Sequence, residues 1–214
     1  MCATGTRRPE TALIEAMDPR ISRPLIDLGA SPQAIEKLEK YAYLIEKWQK
    51  AINLVAPSTL GDLWGRHILD SAQLWPKVAG KGPIIDLGSG GGLPGIVLSI
   101  LGAEAITMIE SDTRKGVFLR ETARELSLSG VTVVTDRIEN PRGITAPVIT
   151  ARALAPLKTL VKWASPMLAP GGRMVFPKGE SWEEELSELD GAFHVEQHPS
   201  LTDPEARILI LTQK

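Results

Sequence analysis

A chain of 214 residues suits one α/β domain with a short extension and is tight for two. Apolar residues (43%) outweigh charged ones (23%) enough to bury a sizeable core, yet no apolar run reaches the roughly 18 residues of a membrane span. The net charge of −2 argues against an unspecific nucleic-acid binder, which is usually basic, so any contact with RNA has to come from a local patch. One cysteine, Cys2, rules out disulfides and Cys-based zinc sites within the chain and fits a reducing, cytoplasmic setting. Met1 to Glu10 has no apolar h-region, so no secretory signal is expected.

Residues 1–20 carry Pro, Gly, Thr and Arg without periodicity and read as a disordered tail. Ser31-Pro32 is a helix start, and Ile35, Leu38, Ala42, Ile45, Trp48 and Ile52 follow as an apolar stripe at helical spacing. A second helix is expected over Leu60 to Leu74, which makes residues 21–80 a helical extension. From residue 81 to 214 the pattern becomes a Rossmann-like core. Strands are expected at Ile84–Leu87, Ala105–Glu110, Val131–Thr135, Val148–Ala151 and Arg173–Pro177. Helices are expected at Pro94–Leu101, Thr113–Leu128, Pro156–Leu168 (stopped by Pro170-Gly171-Gly172) and Ser181–Leu189. Phe193–Gln197 and Arg207–Thr212 close the chain as strands joined by a short turn. Alternating strands and helices imply a mostly parallel, seven-stranded sheet covered on both faces. The last pair has no helix between its strands and should form an antiparallel hairpin.

The chemistry concentrates at the end of the first strand, where glycines stand at 88, 90, 91, 92 and 95. Glycine lets a ligand lie against the backbone, and the C-terminal edge of a parallel sheet is where such ligands bind. Gly90, Gly92 and Gly95 satisfy the G-x-G-x-x-G of dinucleotide sites. Asp86-x-Gly88-x-Gly90-x-Gly92 equally resembles the first motif of Rossmann-like S-adenosylmethionine methyltransferases. Glu110, at the end of the second strand, suits the ribose hydroxyls of either cofactor. Three features favour S-adenosylmethionine: the closing hairpin, the lack of a second catalytic domain, and the lack of a His–Asp or Tyr–Lys pair for hydride transfer. His194 and His198 can share a strand face but have no third ligand, so no metal site is expected.

Several blocks in order make a more specific resemblance. They are Asn53-Leu54, Arg66-His67-Ile68-Leu69-Asp70-Ser71, the glycine turn with its Leu93-Pro94-Gly95 ending, and Glu110-Ser111-Asp112 with Arg114-Lys115. Arg137-Ile138-Glu139, Thr150 to Leu157 and Lys178-Gly179 complete the set. Over residues 30–212 the chain resembles the RsmG (GidB) family of bacterial 16S ribosomal RNA guanine-N7 methyltransferases. The resemblance implies that Gly88, Gly90, Leu93, Ile138, Glu139 and Arg152 contact S-adenosyl-L-methionine, with Glu110 on its ribose. It implies a cytoplasmic enzyme, expected to be monomeric, acting on 16S rRNA or the small ribosomal subunit, with an assembly intermediate as a further form of the substrate. Guanine N7 has an in-plane lone pair and needs no general base, so catalysis should be positioning, with Arg152 or Lys178 donating to O6. Arg66, His67, Arg114, Lys115, Arg120 and Arg137 are the candidate RNA-facing residues. Trp64, Trp75 and Trp182 are candidates for stacking or for packing. Three rival readings remain: a methyltransferase for a small molecule or protein, a nicotinamide-dependent reductase, and a binding module without activity.

Overall fold

The structure, a computed structural model, describes residues 17–140, 143–189 and 191–214. Most of the expected tail lies outside these residues. Its last part does not behave as a tail: Asp18 accepts a hydrogen bond from the Arg20 N–H at 2.8 Å and caps helix α1 (Pro19–Asp27). Ser31 caps α2 (Pro32–Gln49) in the same way, accepting from the Ala34 N–H, with Pro32 at the first turn where its missing N–H costs nothing.

The next segment departs from the expected single helix over Leu60 to Leu74. It is a 3₁₀ turn (Pro57–Asp62), a π-helical turn (Trp64–Leu69) and a short α-turn (Asp70–Ala72), followed by Trp75–Val78. Gly61 and Gly65 weaken an α-helix here, and the apolar pattern does not distinguish i→i+4 from i→i+5 bonding.

The core is a seven-stranded sheet in the order β3-β2-β1-β4-β5-β7-β6. The strands are β1 (Ile84–Leu87), β2 (Ile106–Glu110), β3 (Val131–Thr135), β4 (Ala146–Ala151), β5 (Leu168–Lys178), β6 (Phe193–Pro199) and β7 (Arg207–Gln213). β1 to β5 pair in parallel; β7 runs antiparallel to both β5 and β6, as the closing hairpin requires. Helices α3 (Gly95–Leu101) and α4 (Thr113–Glu125) follow β1 and β2, and α5 (Leu157–Ala164) and α6 (Trp182–Ser187) follow β4 and β5. The helix expected to run to Leu168 ends early. Ser165–Met167 is a 3₁₀ turn, and Pro170-Gly171-Gly172 sits inside β5 at a register shift against β4. Leu168 pairs with Ala146 before the shift and Arg173 with Val148 after it, so the residues between are carried in the strand as a bulge.

Alternate residues of each strand feed two cores. Ile84, Ile106, Met108 and Val148 face a cluster that also contains Leu38, Tyr41 and Ile45 of α2, Ile68, and Phe118 of α4. Ile85, Leu87, Ile149 and Phe176 face the other side, against Leu157, Leu160 and Ala164 of α5. The N-terminal helices therefore share one continuous core with the sheet. Trp48 meets Phe118 edge-on at 5.6 Å, and Lys40 donates to the Glu125 carbonyl at the end of α4. Trp64 and Trp75 pack partly buried against the first core and Trp182 against the second. Among the described residues no helix is long and apolar enough to cross a membrane.

Candidate functional site

A cleft of about 1150 Å³ opens at the C-terminal edge of β1, β2, β4 and β5. The eight cofactor and positioning candidates read from the sequence all line it. Gly88, Gly90 and Leu93 come from the turn after β1, and Glu110 from the end of β2. Ile138 and Glu139 follow β3, Arg152 follows β4, and Lys178 ends β5.

The turn is held from three sides. Asp86 is fully buried. Its Oδ1 accepts from the Thr150 hydroxyl at 3.0 Å and its Oδ2 from the Gly95 N–H at 3.2 Å, which ties β1 to the start of α3. Burial pushes the Asp86 carboxyl up to about 6, against the opposing pull of its hydrogen bonds and of Arg152. Glu110 holds the turn from β2: Oε2 accepts from the Gly90 N–H and Oε1 from the Asp112 N–H, both at 2.8 Å. Each oxygen keeps further acceptor capacity, and Glu110 lines the cleft. The third brace is Tyr41 of α2, which periodicity did not single out. Its buried hydroxyl donates to the Gly91 carbonyl at 2.5 Å. Burial raises this phenol well above its ordinary value, so it stays neutral.

Gly88 has φ +62°, in the region that favours glycine. A Cβ added there would lie 2.5 Å from the Leu154 side chain, which folds back over the turn after Ala153, itself at φ +49°. A Cβ on Gly90 would meet nothing closer than the Gly88 carbonyl, at 3.7 Å, so this part of the turn is open.

The two cationic candidates are both engaged. Arg152 spans from the sheet to the broken helical segment. It donates to the Asp70 carboxylate at 3.2 Å, to the Arg66 carbonyl at 3.3 Å and to His67 Nδ1 at 2.9 Å. Its Nε–H is buried and unpartnered among the described residues. The Thr59 hydroxyl donates to the Ala56 carbonyl, so its oxygen accepts from His67 Nε2 at 2.7 Å and the ring carries its proton on Nε2. Burial, then Arg152 and Arg66, lower the His67 pKa to about 4. His67 is thus a neutral, largely buried brace that also lines the cleft. Asp70 also accepts from Gln73 and from Thr202 of the β6–β7 loop. Lys178 forms a largely buried ion pair with Glu185 of α6 at 2.6 Å and donates to the Ala155 carbonyl. Burial raises the Glu185 carboxyl, but Lys178 and the Leu157 N–H outweigh it and hold the group below its ordinary value.

In the β3 loop, Ile138 is half-buried against the second core. Exposed Glu139 pairs with Arg137 at 3.1 Å. Of the basic candidates, Arg66, His67, Lys115 and Arg137 line the cleft, whereas Arg114 and Arg120 are exposed on α4. Among the described residues no three His, Cys, Asp or Glu side chains converge on a metal position.

A parallel sheet reversed by one strand, with a braced glycine turn facing an acidic strand end, defines a Rossmann-like methyltransferase fold. Solved structures share it: a ribosomal protein L11 methylase from Lactobacillus delbrueckii subsp. bulgaricus aligns at TM-score 0.57 and 16% identity, covering 70% of this chain and 79% of that one. Aeropyrum pernix fibrillarin, solved with natively bound S-adenosyl-L-methionine, aligns at TM-score 0.54 and 18% identity, over 69% of this chain and 75% of that one. The chain belongs to the rRNA small subunit methyltransferase G (GidB) family, whose model matches residues 34–207. The ribosomal RNA small subunit methyltransferase G of Paramagnetospirillum magneticum is 47% identical over 188 residues, 86% of this chain and 91% of that protein. That of Cereibacter sphaeroides is 48% identical over 192 residues, 86% of this chain and 92% of that protein.

Proposed function

We propose that this protein transfers the methyl group of S-adenosyl-L-methionine to N7 of a guanine in 16S ribosomal RNA, as free RNA or within a small-subunit particle. One observation carries the cofactor assignment: the Glu110 carboxylate braces the glycine turn through Gly90 and still has acceptor capacity for a pair of vicinal hydroxyls. Hydrogen bonds to a charged group contribute about 1.5–3 kcal/mol each, so this residue suits a ribose. The open turn at Gly90 leaves room for the ligand to lie on the backbone, and half-buried Ile138 offers an apolar surface for a purine. The family relationship supports the RNA substrate.

When bound, S-adenosylmethionine supplies a sulfonium methyl, which a guanine N7 lone pair accepts without first losing a proton. The residues on the cleft wall fit that demand. His67 has both ring nitrogens engaged and is held neutral, so it neither takes nor gives a proton near pH 7. Asp86, whose pKa is also shifted, is fully buried and bonded to Thr150 and Gly95. What the chain contributes is orientation: Gly88, Gly90 and Leu93 shape the donor side, and Arg152 and Lys178 are fixed cations on the acceptor side. Arg66, Lys115 and Arg137 rim the cleft as phosphate contacts, which compensates locally for the acidic overall charge.

The test is incubation of small subunits lacking the modification with labelled S-adenosylmethionine. Label should enter 16S rRNA at one guanine, and reduction followed by aniline should cleave there, as only an N7-methylated guanine allows. Label on N1 or N2 would refute the N7 assignment. Binding of NADH in place of S-adenosylmethionine would refute the cofactor.

A further inference from the structure

Lys178 and Glu185 form the most buried ion pair on the cleft wall that the donor side does not use. Their side chains are 11% and 19% exposed and 2.6 Å apart. An inventory of their bonding capacity is informative. The ammonium has three donors; one goes to the Ala155 carbonyl and one to Glu185. The carboxylate has about four acceptor positions. Oε2 takes Lys178 and the Leu157 N–H at the start of α5, and Oε1 takes the Ser181 hydroxyl. One donor on Lys178 and one acceptor position on Oε1 of Glu185 are left, on two residues that both line the cleft.

Resting on the N7-methylation reading above, we propose that Lys178 and Glu185 together read the Watson–Crick edge of the acceptor base and select guanine over adenine. The order of the two groups makes the selection. In this arrangement the ammonium, bonded to the Ala155 carbonyl beside the Leu154 that packs on Gly88, is the member set toward the glycine turn. Glu185 is carried by α6 and bonded to the start of α5, and takes the position beyond it. A purine with N7 turned to the glycine turn presents the substituent at C6 first and N1 next. In guanine these are the O6 acceptor and the N1–H donor, which match the ammonium and then the carboxylate. In adenine they are an amino donor and a bare N1, and both positions are mismatched. A buried polar pair left unmatched in this way is what gives a site strong discrimination. No proton or electron moves in this step; the pair reads and positions the base.

The experiment compares small subunits reconstituted with 16S rRNA carrying guanine, hypoxanthine or 2-aminopurine at the modified position. All three keep N7. Hypoxanthine keeps O6 and N1–H, whereas 2-aminopurine lacks both. The wild type should methylate guanine and hypoxanthine at similar kcat/KM and 2-aminopurine at least about tenfold more slowly, the usual worth of a good base-edge pair. Glu185→Gln retains a side-chain oxygen for the Leu157 N–H but turns an amide on the base; it should narrow the guanine to 2-aminopurine ratio about fivefold or more, with the Kd for S-adenosylmethionine unchanged. Lys178→Met, which leaves the α5 cap in place, should narrow the same ratio. If Glu185 serves only as a cap, Glu185→Gln lowers Tm and all three rates together, the ratio stays fixed, and the proposal is overturned. A wild type that accepts 2-aminopurine as readily as guanine overturns it too. Failure of the wild type to methylate any of the three bases instead refutes the reaction assigned above, and this proposal with it.

Discussion

Gly88→Ala perturbs the glycine turn in two separable ways. At φ +62° the new Cβ sits in left-handed backbone, which costs a non-glycine residue roughly 1–2 kcal/mol. The same carbon would lie 2.5 Å and 2.9 Å from the two Leu154 methyls, and overpacking of this kind costs typically about 1–3 kcal/mol. Together these give about 2–5 kcal/mol of lost stability, and at about 2–4 °C per kcal/mol for a domain of this size Tm should fall by about 4–20 °C. The sequence alone suggests that a side chain at residue 88 fills the cofactor space directly. The structure puts Leu154 in between: the added carbon meets Leu154, and Leu154 is displaced toward the cleft it lines. Leu154→Ala removes both methyls, so in the double variant the overlap disappears while the φ strain persists. A double-mutant cycle in urea denaturation should then show about 1–3 kcal/mol of coupling. Calorimetric titration with S-adenosylmethionine should show the Kd of Gly88→Ala raised by about 5–150-fold and partly restored in the double variant. Strict additivity, within about 0.5 kcal/mol, would refute Leu154 as the obstruction.

Glu110→Gln replaces an acceptor of two backbone N–H groups with a side chain that has one oxygen and one amide nitrogen, so either Gly90 or Asp112 faces a donor. The expected loss is about 1.5–3 kcal/mol in cofactor binding, roughly 10- to 150-fold in Kd by calorimetry, and an unchanged Kd would remove Glu110 from the site. Tyr41→Phe leaves the Gly91 carbonyl without its buried partner; a loss of about 1–3 kcal/mol in urea denaturation is expected, and no loss would mean that water takes the place of the hydroxyl. His67 has a folded pKa lowered from 6.5 to about 4, so the unfolded chain binds the proton first as pH falls. Stability from this residue is full above pH 6.5 and is lost between 6.5 and about 4, by up to about 3 kcal/mol. Asp86 runs the other way: its folded pKa is raised from 3.8 to about 6, so its contribution is full below 3.8 and is lost as pH rises to about 6. The comparison of wild type with His67→Gln across pH 4 to 7 therefore isolates the histidine, and parallel curves would show that His67 does not resist protonation.

The pattern located all seven strands, as short apolar or alternating runs between turn residues, and the last two lack the helix that a parallel connection needs. The glycine turn and Glu110 were legible for a local reason, since the strand-end position of each follows from its own neighbours, whereas Ile138 and Glu139 were named only through the family resemblance. What was not legible is held at long range. Tyr41 lies 50 residues from Gly91, and Arg152 lies 82 residues from Asp70. Nothing in the local spacing of Tyr41 separates it from an ordinary core tyrosine, and Glu185 reads as one acid among three in an acidic helix. The broken helix over residues 57–78 was missed because its apolar spacing is compatible with a regular one. The bulge in β5 was missed because Pro-Gly-Gly is as good a helix stop as a kink in a strand.

The π-helical turn gives this last miss a physical meaning. A single i→i+5 turn carries one more residue than an α-turn, and such turns recur where side chains must be re-aimed. Here it brings the Arg66 carbonyl, the His67 ring and the Asp70 carboxylate onto one guanidinium, that of Arg152. Asp70 then reaches Thr202 in the loop after β6, and the Leu54 carbonyl lies 3.1 Å from where a Cβ on Gly91 would sit. The helical segment before the sheet is therefore bonded to the loops after β4 and after β6. A regular helix over the same residues would carry Asp70 round by part of a turn and leave a largely buried arginine without its carboxylate, a loss of about 3–5 kcal/mol for a broken buried pair. The irregularity thus has a compensating gain at the site, which is where departures from local rules are expected to survive.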